Sequence, residues 1–374
     1  SDLLLFPYAA TLSVLPRRPQ TGRVVRFFCS VRTADGSPYG ADGRHILRRT
    51  LRRLADAGYE CRVGAECEFY LFERDAEGRP TKRPQDNGGY FDVAPLDRGE
   101  NVRREICLTL EEMNIRPESS HHEQGPGQNE VDFKHAAPLT AADDVITFKN
   151  VVKTVAARNG LYGSFSPKPL ADKPGSGMHV NISLARGGRN IFAPGPDGAY
   201  SPAMRSFIAG VLARAGEICA FTNPVPGSYA RFGSFEAPRY VAWSHQNRSQ
   251  LIRIPAAPAP EYARIEVRMP DVACNPYLAF ALLLAAGFEG MERKMELAEE
   301  TPYDLYTANA GALEALPASL EEAIARAGGS AFVEKVLSAD TARKYLALKQ
   351  AEQNRWFAAR DKEKYQDEAY FGVL

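Results

Sequence analysis

The chain has 374 residues, a length that as a loose prior holds about two to three domains. Hydrophobic residues make up 44% and charged residues 25%, ordinary globular values that exclude disorder and a collagen-like repeat. Lys and Arg number 46, as do Asp and Glu, so no net charge draws the chain to nucleic acid or an anionic membrane.

The longest apolar run, Leu278 to Phe288, is 11 residues and too short to span a bilayer. The opening residues, Ser1 to Pro7, carry no basic stretch and no cleavage pattern, so nothing in them points to export. The cysteines Cys29, Cys61, Cys67, Cys107, Cys219 and Cys274 form no CxxC pair. They are expected as reduced thiols of a cytoplasmic protein, not as a disulfide frame or a zinc site.

In chain order, Leu3 to Phe6 and Val24 to Cys29 read as short strands between Pro and Gly, with a break from Pro38 to Gly43. Ile46, Leu47, Thr50, Leu51 and Leu54 have helical spacing, stopped at Gly58. Arg48, Arg49, Arg52 and Arg53 take the outer face, as an ordinary solvated surface or as an anion patch. Strands are expected near 62–72, 119–123, 129–134, 161–166, 178–184, 250–254 and 263–269. Helices are expected near 99–114, 141–159, 202–221, 275–298 and through 319–359. The helix at 141–159 is expected to start at a capping box, Thr140 with Asp143, and to stop at Gly160. The fold class is α+β. A strand-rich piece over 1–38 precedes a large mixed domain over 39–374.

Charge on one face of several strands is the unusual feature. Side chains alternate with period two along a strand. Glu66 and Glu68 therefore share a face, as do His179 and Asn181, and as do Arg264, Glu266 and Arg268. One such strand is a solvated sheet surface; several together suggest a polar cleft. In His121-His122-Glu123-Gln124-Gly125-Pro126-Gly127-Gln128-Asn129-Glu130, the Gly-Pro-Gly centre is a turn. A four-residue loop would set Gln124 opposite Asn129 and Glu123 opposite Glu130. Two facing carboxylates repel unless a cation lies between them or both splay into water. Glu66, Glu68, Glu123, Glu130, Glu266 and His179 together form an oxygen-rich set suited to Mg²⁺ or Mn²⁺, with enough ligands for two ions. Arg231, Arg248, Arg253, Arg264 and Arg268, all within 228–268, add an anion-binding cluster. No P-loop and no GxGxxG is present, so a nucleotide would be held by metal and Arg.

These motifs resemble the bacterial class-I glutamine synthetases and related γ-glutamyl-amide ligases. The resemblance runs from about residue 2 to the C-terminus. It is carried by Gly64-Ala65-Glu66-Cys67-Glu68-Phe69, Gly88-Gly89-Tyr90-Phe91, the His122 to Glu130 segment and Gly175-Ser176-Gly177-Met178-His179. Glu236-Ala237-Pro238, Asn247-Arg248-Ser249, Ile252-Arg253-Ile254-Pro255, Arg264 to Arg268 and Asn275-Pro276-Tyr277 continue it in order. It implies an ATP-dependent ligase that phosphorylates the γ-carboxylate of L-glutamate and condenses it with ammonia or an amine. It implies Glu68, Glu123 and Glu130 around one divalent ion and Glu66, His179 and Glu266 around another. Arg231, Arg268, Gly175 and Glu68 would line the glutamate site. Arg253, Arg264, Asn181 and Ser183 would face the nucleotide, with Arg248 at the transferring group. Glu236 would be the flap carboxylate, and Tyr90 with Glu123 would border the ammonium pocket.

The resemblance further implies an N-terminal β-grasp domain, of which 1–38 would be a remnant, a catalytic domain with a curved antiparallel sheet, and a homo-oligomer of two stacked six-membered rings. The chain departs from the family pattern at several points. It has no D-G-S-S loop to approach a neighbour's site. Asn181 stands for a second His, Pro174 for an Asn beside Gly175, and Glu261 for a Lys near the nucleotide. These departures bear on the amine substrate and leave the metal-ligand positions intact. A binding or structural protein without catalysis is the reading from another class. An unused cluster of like charges would be costly to keep, which argues against it.

Overall fold

The computed structural model describes residues 2–16, 22–195 and 197–374. Strand β1 (Leu3–Pro7) opens the chain, followed by β2 (Ser13–Val14), β3 (Val25–Arg26) and β4 (Cys29–Thr33). β1 pairs antiparallel with β4, and β2 with β3. The single strand expected over 24–29 is divided in two. Its backbone turns where the Phe28 amide donates to Thr11 Oγ1 and the Phe28 carbonyl accepts from Tyr8. Leu3, Leu4, Leu5 and Phe6 are all at least 40% exposed, so this piece buries little apolar surface of its own. Polar contacts tie it to the rest: Val31 N donates to Asp42, and the Arg44 guanidinium lies over the Tyr8 and Phe28 rings.

Helix α1 (Gly43–Asp56) is capped by the Asp42 side chain and buries Ile46, Leu47, Thr50 and Leu54. Of its outward arginines, Arg49 donates to the Val336 carbonyl and Arg53 pairs with Glu292, an ordinary helix surface. Next come β5 (Glu60–Arg74), β6 (Pro80–Pro84), α2 (Glu100–Glu112), β7 (Pro117–His122), β8 (Gln128–Phe133), α3 (Pro138–Arg158), β9 (Leu161–Ser164), β10 (Met178–Arg186) and β11 (Arg189–Asn190). Then follow α4 (Pro202–Thr222), β12 (Trp243–His245), β13 (Ile252–Ile254), β14 (Ile265–Val267), α5 (Pro276–Glu292), α6 (Leu320–Ala327), α7 (Ala331–Leu337), α8 (Ala339–Ala358) and α9 (Lys362–Gln366). Among the described residues, ten strands form one sheet, with the central order β12-β13-β14-β10-β5-β8-β7. It is antiparallel except between β12 and β13.

Two helix ends depart from the sequence reading. α3 starts at Pro138, three residues before the expected boundary, with no capping box. The Asp143 carboxylate has a stronger partner: it accepts from Arg44 at 2.9 and 2.6 Å and from the Tyr277 hydroxyl at 2.5 Å. α5 stops at Glu292, short of the expected 298, where Lys294 turns to φ 50° and Met295 N donates to the Gly290 carbonyl.

One face of the sheet packs on the helices. Val63, Ala65, Cys67, Phe69 and Leu71 of β5 join Val131, Phe133, Val180, Ile182, Ile265 and Val267 in a single core with α1, α3, α4 and α5. Complete burial of such side chains contributes about 1.5–3 kcal/mol each. This fixes the register, because a slip of one residue would turn every charged side chain of these strands into the core.

Candidate functional site

The alternate positions of the same strands point to the opposite face. Glu66 and Glu68 from β5, Gln128, Glu130 and Asp132 from β8, His179 and Asn181 from β10, Arg253 from β13 and Glu266 from β14 all line cavities there. Register brings them together: Glu66 is paired with His179 on one side and Asp132 on the other, Glu68 with Glu130, and Asn181 with Glu266.

The turn between β7 and β8 lies one residue earlier than the spacing suggested. His121 stands opposite Glu130 and His122 opposite Asn129, while Glu123 N donates to the Gln128 carbonyl. The expected pairings of Glu123 with Glu130 and Gln124 with Asn129 are therefore shifted by two residues. Gly127 at φ 67° lets the chain turn, and the Gln128 side chain accepts from Gly125 N, closing the turn early. A two-residue shift preserves facing, so Glu123 still reaches the cavity. There it meets His121, whose Nε2 lies 3.0 Å from Glu123 and 3.6 Å from Glu130.

Three overlapping groups of possible ligands follow: Glu66, His179 and Glu266; Glu68, Glu130 and His179; and His121, Glu123 and Glu130. Within each, ligand atoms lie within 4.8 Å of one another. Glu123 thus meets His121 and Glu130, and its charge also acts on Glu68 in the same cavity. Burial, together with the neighbouring Glu123 charge, pushes the Glu68 carboxyl up to about 7. Burial, with Asp132 and Glu68 nearby, holds the Glu130 carboxyl well above the ordinary range. Burial and the Arg268 charge hold His179 well below its usual value, leaving a neutral imidazole. Crowded carboxylates and a neutral imidazole are a hard-cation donor set, so these residues fit a divalent ion of the Mg²⁺ or Mn²⁺ type. Asp86, Asp97 and His122 also cluster, but they are already satisfied. Asp97 takes Arg103, and Asp86 takes His122 and the amides of Gly88, Arg98 and Gly127.

Arginines close the other side. Arg231, only 4% exposed, donates to the carbonyls of Met269 and Arg268 at 3.1 and 3.2 Å. Arg268 pairs with Glu266 and donates to the Glu236 and Arg248 carbonyls, while Arg253 holds the second Glu266 oxygen at 2.6 Å. Arg248 reaches the Glu236 carboxylate at 3.0 Å. Phe235 and Glu236 sit at φ 49° and 64°, consecutive left-handed residues that are not glycine. Such strain costs about 1–3 kcal/mol per residue and clusters at clamps and switches. Gly175 lies on the floor, where an added Cβ would come within 2.4 Å of the Pro167 carbonyl and 2.8 Å of Arg231 Cγ.

The first cavity, of about 200 Å³, is lined by Glu66, Glu68, Glu123, Glu130, His179 and Glu266, and also by Tyr90, Gly175, Glu236 and four of the arginines. Arg264, Asn181 and Ser183 line a second one of about 410 Å³, with Glu261 at its edge; Glu66 and Asp132 form the wall common to both. Arg264 Nε donates to Asn181 Oδ1, and Asn181 Nδ2 donates to Glu66. His121, Gln128 and Asp132 were not singled out by sequence reading. Their even-numbered β8 positions, or a place beside a carboxylate, were the available signal. Burial and Glu66 raise the Asp132 carboxyl to about 7, and its buried Oδ1 has no hydrogen-bond partner.

Carboxylates, a neutral imidazole and arginines converging where two cavities meet form the kind of site that enzymes use to hold divalent cations beside anionic groups. The sequence profile described as "Glutamine synthetase, catalytic domain" matches residues 40–367. Glutamine synthetase of Methanosarcina mazei is 44% identical over 365 residues, 96% of this chain and 81% of its own length. That of Clostridium saccharobutylicum is 43% identical, covering 94% and 81%. A solved complex of GmaS with ADP has a TM-score of 0.87 at 29% identity, covering 99% of this chain and 85% of that one. The chain belongs to the glutamine synthetase family, and it is an ATP-dependent carbon–nitrogen ligase of the glutamate–ammonia type. Among the described residues, no helix is long and apolar enough to cross a membrane.

Proposed function

We propose that the protein phosphorylates the γ-carboxylate of L-glutamate with ATP and condenses the acyl phosphate with ammonia to give glutamine. The observation that carries this reading is the meeting of the two cavities at Glu66 and Asp132, beneath overlapping groups of metal ligands. Glutamate would lie in the smaller cavity against Gly175 and the Arg231 and Arg268 guanidiniums. The nucleotide would lie in the larger one, by Arg264, Asn181 and Ser183, with Arg253 toward its phosphates. GmaS, with its ADP complex, supports a nucleotide-binding role for this fold. Divalent ions bound at Glu66, His179 and Glu266 and at Glu68, Glu123 and Glu130 would neutralise phosphate charge.

Arg248 would face the transferring group, stabilising charge that develops there. Glu236 would close over the acyl phosphate and exclude water. Tyr90 and Glu123 would border the acceptor, Glu123 taking a proton as nitrogen attacks. Residues 1–38 would belong to a β-grasp domain and 39–374 to the catalytic domain. The exposed β1 side chains suit assembly into stacked six-membered rings of this chain.

An organic amine is the second reading for the acceptor. Tyr90 and Phe91, 42% and 62% exposed, pack against His121 at the acceptor side and offer apolar surface that ammonia does not need. The test is ADP release and product formation with Mg²⁺, ATP and glutamate across ammonia and a panel of alkyl and aryl amines. Turnover with ammonia supports the first reading and turnover with amines alone the second. Absence of turnover with every acceptor overturns both.

A further inference from the structure

Lys168 is a buried cation that the roles above leave unused. It stands between Pro167 and Pro169, whose rings restrict the backbone, and is 7% exposed. Its Nζ donates to the Lys173 carbonyl at 2.6 Å and lies 4.9 Å from the centre of the Phe235 ring. Among the described residues it makes no ion pair, since Asp172 turns to Lys173. Burial and the Arg231 charge depress its pKa.

We propose that Lys168 is a positioning residue that latches the Phe235–Glu236 flap to the loop carrying Gly175. An ammonium without a carboxylate partner takes its remaining stabilisation from what it faces, and here that is the negative face of an aromatic ring. The ring belongs to a residue held at φ 49°, next to Glu236 at φ 64°, so the contact opposes the relaxation of two strained residues at once. The other end of the lysine's bonding is the 170–175 loop, which sets Gly175 under Arg231. One side chain therefore joins floor and cover on the same side of the smaller cavity. A lysine that only filled space would need its stem and its carbonyl bond but no aromatic partner.

The catalytic part of this inference rests on the proposed ligase reading, so the test has two arms. Lys168→Met keeps the stem and removes the ammonium. With the latch lost, the cover opens more often and water reaches the acyl phosphate. ADP release in excess of amide product should then rise about 3-fold, the population shift that one lost cation–π contact allows. Lys168→Arg and Phe235→Tyr should keep ADP and product matched, whereas Phe235→Leu should uncouple them as Lys168→Met does. The second arm needs no turnover. A Phe235→Trp probe, read against the parent signal of Trp243 and Trp356, should be quenched more readily by acrylamide in the Lys168→Met background than beside native Lys168. Equal quenching overturns the latch whether or not the protein is a ligase. Unequal quenching without any turnover keeps the latch and removes the ligase reading. Matched ADP and product in Lys168→Met, with only a lower Tm, makes Lys168 a structural residue and overturns the proposal.

Discussion

Glu68 and Glu130 are register partners across β5 and β8, so backbone hydrogen bonding sets two buried carboxylates side by side with His179 within 4.8 Å of both. Directly opposed residues have Cβ atoms about 4.5–5.5 Å apart, and like charges there are destabilising. The metal-free fold therefore works against its own electrostatics, and a cation relieves that.

Substituting one of the pair separates binding from folding. Glu130→Gln should weaken Mn²⁺ binding by more than about 10-fold, the lower end of what even outer-shell partners of a metal cost. The same change should stabilise the metal-free protein by about 1–3 kcal/mol, since folding no longer has to hold a buried carboxyl away from its ionised form. Calorimetric titration and thermal melts without metal read the two effects; a metal-free protein destabilised by Glu130→Gln would contradict the crowding described here.

Stability should depend jointly on pH and metal. A carboxyl with a raised folded pKa binds its proton more tightly when folded, so its contribution is present in acid and lost as pH rises. For Glu68 the loss runs from the ordinary carboxylate range up to about 7. His122 acts in the same direction: burial opposes its charge, but hydrogen bonds to Asp86 and the Glu123 carbonyl raise its pKa overall. Metal addition separates the two, because it acts at the carboxylates. The Tm gain on adding Mg²⁺ should be larger at about pH 8 than at about pH 5.5. A gain that does not vary between those values would exclude titrating ligands.

Gly175→Ala tests the floor of the smaller cavity. Its Cβ would press on the Pro167 carbonyl and on Arg231, so the loop or the guanidinium must move. Overpacking of this kind costs about 1–3 kcal/mol. The expected kinetic result is a KM for glutamate raised about 10-fold with a smaller change in the KM for ATP. Equal effects on both substrates would place Gly175 away from glutamate.

Glu266 tests the arginine side. Both its oxygens are engaged, one by Arg268 and one by Arg253 at 2.6 Å, and Arg268 is 2% exposed. Glu266→Ala strands a buried guanidinium and should lower stability by about 3–5 kcal/mol. Glu266→Gln keeps one acceptor oxygen, so one of the two guanidiniums retains its bond; it should cost less, while still weakening metal binding. Denaturant melts of both variants rank the two; equal loss would mean that charge, not pairing, decides.

The sequence by itself determined the strand faces. Period-two alternation placed Glu66 with Glu68, and His179 with Asn181, opposite the apolar residues of their strands, because a pleated strand leaves each side chain only one of two directions. It also determined most element positions and, through ordered motifs, the family. Tertiary structure decided what each charged group touches. The register at Gly127 gave Glu123 to His121, long-range pairing drew Asp143 away from capping its helix and onto Arg44 and Tyr277, and β8 brought Asp132 between two cavities. None of these follows from local spacing. Each is settled by competition among partners far apart in the chain, and burial makes the strongest pairing win because any polar group left without one is costly.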